Sequence, residues 1–68
     1  MTASQFRDAL SDLGIGQTEV ARLFSANERT VRRWVSGDRP VPQGVAMLIG
    51  MLLDGVVTIE DVEAARVR

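Results

Sequence analysis

The chain has 68 residues, no Cys, no His and a formal net charge of −1. That length sets one domain with a small core, because short chains bury a lower fraction of their surface. Without Cys or His it has no disulfide, no thiolate or imidazole metal ligand, no Cys nucleophile and no His general base, which argues against an enzyme and against a metal centre.

In chain order, Thr2 and Gln5 have the spacing of a capping box, and Phe6, Ala9, Leu10 and Leu13 follow at helical spacing, so a first helix runs to Gly14. A second helix is expected from Gln17 to Phe24, with Gly16 as a weak N-cap and Val20, Ala21, Leu23 and Phe24 on one side. Ser25, Ala26 and Asn27 are too few for anything but a turn. Asn27 is a strong N-cap for a third helix ending at Ser36 and closed by Gly37, with Val31, Trp34 and Val35 as its apolar stripe. The segment from Asp38 to Pro42 reads as a loop. A fourth helix from about Gln43 to Leu53 is apolar all round: Val45, Leu48, Ile49 and Leu52 share one face, while Met47 and Met51 lie nearly opposite. Gly55 stops it, and Thr58 with Asp61 marks the start of a fifth helix carrying Ile59, Val62 and Ala65. No strand pattern, repeat or low-complexity tract is present. The expectation is an all-α, compact bundle of five short helices.

Charge is unevenly placed. Residues 22–39 hold Arg22, Arg29, Arg32, Arg33 and Arg39 against Glu28 and Asp38, a local net charge of +3, whereas Asp54, Glu60, Asp61 and Glu63 against Arg66 and Arg68 leave the C-terminal segment at −2. All eight basic residues are Arg, which forks onto phosphates and guanine edges better than Lys does; a GC-rich genome is the simpler cause of the missing Lys. On the third helix the inward positions 31, 34 and 35 leave 29, 32 and 33 facing outward. Two short helices joined by a short turn, the second bearing outward arginines, form an arrangement that places a helix in the DNA major groove. Arg29 and Arg33, one turn apart, can each address a base pair, since arginine donates two hydrogen bonds to guanine O6 and N7. Asn27 and Glu28 sit at the start of that helix. Asn27 is either an adenine reader or simply the cap, and Glu28 either accepts from cytosine N4 or merely favours the helix dipole.

The run Gln17-Thr18-Glu19-Val20-Ala21-Arg22-Leu23-Phe24, the turn, then Glu28-Arg29-Thr30-Val31-Arg32-Arg33-Trp34 and Ser36-Gly37 resembles the lambda-repressor-like, Cro-type helix-turn-helix family over roughly residues 3–54. The resemblance implies a DNA-binding domain at residues 1–54, with Asn27, Glu28, Arg29, Arg32 and Arg33 reading bases. It also implies that Gln17, Thr30 and Arg39 hold the sugar-phosphate backbone, with Arg22 either joining them or standing as a solvated charge. Two positions depart from the family pattern: Ser25 stands where Gly is common and must either take a left-handed conformation or distort the turn, and Val35 stands where Glu is frequent.

The function expected from these readings is a sequence-specific double-stranded DNA-binding transcriptional regulator. Within that class the leading reading is an autorepressor of a phage or mobile-element operon, with antitoxins, prophage control proteins and anti-CRISPR-associated regulators of similar size. The rival is a small helical protein-interaction module whose arginines are an ordinary solvated face. The N-terminal residues lack the basic and apolar regions of a signal peptide and no apolar run is long enough for a membrane span, so the expected location is the cytoplasm. Residues 55–68 are expected to support dimerisation. Met47, Met51, Ile59 and Val62 are expected to lack cover within one chain and to form a homodimer interface, which would match an inverted-repeat operator. No cofactor and no small-molecule ligand are called for.

Overall fold

The structure, a computed structural model, describes residues 1–66, so residues 67–68 at the end of the C-terminal segment lie outside the described residues. Five helices follow one another: α1 (Ala3–Leu13), α2 (Gln17–Leu23), α3 (Glu28–Ser36), α4 (Gln43–Leu53) and α5 (Ile59–Arg66). The described chain is thus an all-α bundle. Among the described residues no helix is long and apolar enough to cross a membrane.

Local chemistry sets the boundaries. The Thr2 side chain accepts from the Gln5 N–H at 3.1 Å while Gln5 Oε1 accepts from the Thr2 N–H at 2.8 Å, which closes the capping box of α1. The same reciprocal pair opens α5, where Thr58 Oγ1 accepts from the Asp61 N–H at 3.1 Å and Asp61 Oδ2 from the Thr58 N–H at 2.9 Å. At the other end, α1 stops where Gly14 turns left-handed at φ 71°, letting the Ile15 N–H reach back to the Leu10 carbonyl. Gly55 ends α4 in the same way, with the Val56 N–H on the Met51 carbonyl.

The core is built around Phe6, Val20, Val31 and Ile49, whose side chains are fully buried. Helix α3 packs against both α1 and α2, α4 lies against α1, and α5 lies against α2. Phe6 of α1 and Trp34 of α3 meet edge to face, an arrangement aromatic rings favour. Among the described residues, two buried ones fall outside the helices: Ile15 in the connection before α2 and Val41 in the loop before α4. Val35 is only half-buried, and its carbonyl accepts from Arg7 Nη1 at 2.6 Å, so α1 places a cation on the last turn of α3.

Helix α5 corrects one expectation. Val62 is 8% exposed and belongs to the chain's own core, and Ile59 is half-buried against it, so neither is left uncovered. The acidic helix folds back because it can bury Val62 and set Glu63 against Arg22 of α2, an ion pair that joins the two helices at the surface. Met47 (62% exposed) and Met51 (38% exposed) do remain open to solvent, and Leu53 and Val56 are exposed with them.

Candidate nucleic-acid interface

The segment from α2 to α3 is held at a fixed angle by its connection. The Ser25 N–H donates to the Arg22 carbonyl and the Ala26 N–H to the Ala21 carbonyl at 2.9 Å, the pair of bonds that defines a Schellman stop. That stop needs a left-handed residue between them, and Ser25 supplies it at φ 53° as the only non-glycine with positive φ among the described residues. Ala21 is buried, consistent with a small side chain where α2 approaches its neighbours. Asn27 then caps α3: its side-chain oxygen accepts from the Arg29 N–H at 2.8 Å.

Burial fixes which way α3 faces. Val31 and Trp34 are buried, with Thr30 and Val35 half-buried on either flank. At about 100° per residue, Arg29 points directly away from that core, with Arg32 and Arg33 about 50° to either side. Glu28, Arg29, Arg32 and Arg33 are all exposed. None of the side chains of Arg29, Arg32, Arg33 and Arg39 makes a hydrogen bond or ion pair with any described residue. Arg22 differs from them, since its guanidinium is engaged by Glu63. An exposed surface pair of this kind adds little stability, but it turns the Arg22 side chain toward α5.

The remaining sequence-identified residues fall around this face. Thr30, Arg33 and Arg39 line one open cleft with Trp34, Pro40 and Pro42, so the positive surface continues from α3 onto the loop that follows. The Arg39 N–H bonds to the Arg33 carbonyl at 3.2 Å, which holds that loop against the end of α3. Gln17 is exposed at the first position of α2, beside a second cleft lined by Arg7, Ser11 and Gly16. Met47 and Met51 are exposed on α4, which packs against α1, and Ile59 and Val62 are turned inward as described above. Arg7 has no local sequence signature for its role, because its bond to the Val35 carbonyl links residues 28 positions apart. No family model, curated protein or solved structure matches the chain.

Proposed function

We propose that the protein is a sequence-specific double-stranded DNA-binding transcriptional regulator in which α2 and α3 act as a helix-turn-helix. The observation that carries this reading is the set of guanidiniums at Arg29, Arg32, Arg33 and Arg39, exposed and without partners among the described residues, on and beside a helix whose opposite side is anchored in the core. A cationic, rigidly mounted helix surface is what the major groove accepts. In this reading α3 enters the groove, while Gln17, Thr30 and Arg39 hold backbone phosphates on either side of it. The rest of the chain is acidic, which confines phosphate attraction to this face.

Within that class the role we assign is autorepression of a phage or mobile-element operon in the cytoplasm. A homodimer would give two reading helices for an inverted repeat, and the exposed Met47 and Met51, with Leu53 and Val56, supply the apolar surface for it in place of Val62. That surface also favours a second reading, a protein-interaction module or antitoxin in which α4 rather than α3 is the working face. Footprinting on DNA upstream of the protein's own gene tests the proposal. The expected result is protection of an inverted repeat at submicromolar protein, and the absence of any protected site at about 1 µM contradicts it.

A further inference from the structure

We infer that the half-site read by α3 has a G·C core, and that Asn27 takes no part in reading it. The inference rests on the DNA-binding reading above and adds the base identity to it.

It follows from which hydrogen-bonding groups the outward face has to offer. The positions that project from α3 near its start are Glu28, Arg29, Arg32 and Arg33. Guanidinium forks match guanine O6 and N7, and a carboxylate matches the cytosine N4 donor, so every side chain in the set addresses one strand or the other of a G·C pair. Reading adenine takes an Asn or Gln that accepts from N6 while donating to N7, and reading thymine takes an apolar contact with its methyl group. The face has no apolar side chain among these four positions, and the amide at the start of α3, Asn27, has its oxygen turned back onto the Arg29 N–H at 2.8 Å. That oxygen is the one adenine N6 requires. Of the two hydroxyls on α3, Ser36 donates to the Arg33 carbonyl at 3.2 Å, and Thr30 is half-buried on the flank. Arg29 and Arg33 are separated by about 6 Å of helix rise, close to two base-pair steps of about 3.4 Å, so the two forks suit guanines about two steps apart.

The test is equilibrium selection from duplexes with a randomised central segment, using the wild-type protein, Arg29→Ala, Arg33→Ala and Asn27→Ser. Serine caps a helix as well as Asn does but carries no amide, so Asn27→Ser keeps α3 intact while removing any adenine contact. The expected result is enrichment of G·C pairs at the centre of each half-site, unchanged in Asn27→Ser. Arg29→Ala and Arg33→Ala should each lower discrimination at a single pair by about 5- to 150-fold. Duplex binding with an A·T core, with no sequence preference, or with an A·T position lost in Asn27→Ser overturns the inference while leaving DNA binding standing. Failure to retain any duplex overturns both.

Discussion

Phe6 and Trp34 meet with ring centroids 6.0 Å apart and planes at 86°, and this contact fixes the back of α3 to α1. Trp34 is 6% exposed, so the only Trp lies behind the proposed reading surface and not on it. Trp34→Ala should cost about 3–5 kcal/mol, enough to unfold a domain of this size. Wild-type emission should be blue-shifted and nearly unchanged when duplex DNA is added. Strong quenching by DNA in a folded protein would place Trp34 at the interface instead.

Ser25 pays a backbone cost that Gly14, Gly37 and Gly55 avoid, because all four are left-handed and only Ser25 carries a Cβ. Ser25→Gly should therefore stabilise the fold. The relief of about 1–2 kcal/mol is offset by about 0.4–1 kcal/mol from the greater unfolded-state freedom of glycine, leaving about 0.5–1 kcal/mol and a Tm rise of roughly 2–8 °C. A Tm that stays level or falls in a calorimetric or dichroism melt would mean that the serine is not strained.

The two apolar surfaces of the C-terminal half should respond differently to a charge. Val62→Asp places an unpaired carboxylate in the core and should unfold the protein or detach α5, whatever the oligomeric state. Met47→Asp with Met51→Asp should leave the helical dichroism intact and convert a dimer to a monomer in sedimentation runs. A wild type that is already monomeric at tens of micromolar would remove the dimer from the account. By comparison, Glu63→Gln should change stability by less than about 1 kcal/mol, because its pair with Arg22 is exposed to water.

Much of this was legible in local sequence. Helix boundaries are local events, and Thr2 with Gln5, Asn27, Gly37, and Thr58 with Asp61 each mark theirs through hydrogen bonds spanning a few residues. The outward face of α3 was also legible, since Val31 and Trp34 set its phase. What escaped was tertiary. Whether α5 leaves Val62 open or folds it inward depends on α2, more than thirty residues earlier, and the Arg22 and Glu63 pairing is 41 positions apart. The burial of Ile15 and Val41 in connecting segments is equally nonlocal, because no periodicity marks a single apolar residue in a loop. For Asn27 the sequence left two roles open; the bond from the Arg29 N–H shows the capping one, and the selection with Asn27→Ser tests the other.

Arg39 and Arg29 should fail in different ways. A phosphate contact carries no sequence information, so Arg39→Ala should weaken binding to all duplexes alike and make the slope of log K against log salt shallower by about 0.9. Arg29→Ala should instead reduce the preference for the selected site over a scrambled one. Binding isotherms at several salt concentrations separate the two, and an exchange of these behaviours would mean that the basic face is oriented differently on DNA.

The central claim is that α3 binds the major groove of a specific duplex. Fluorescence anisotropy with the best selected duplex and a scrambled duplex of equal length, at physiological salt, addresses it directly. The account predicts that the wild-type protein binds the selected duplex at least about 10³-fold more tightly, and that Arg29→Ala with Arg33→Ala abolishes most of that ratio while the fold is retained. Equal affinity for both duplexes, or a ratio that survives the loss of both arginines, would contradict it.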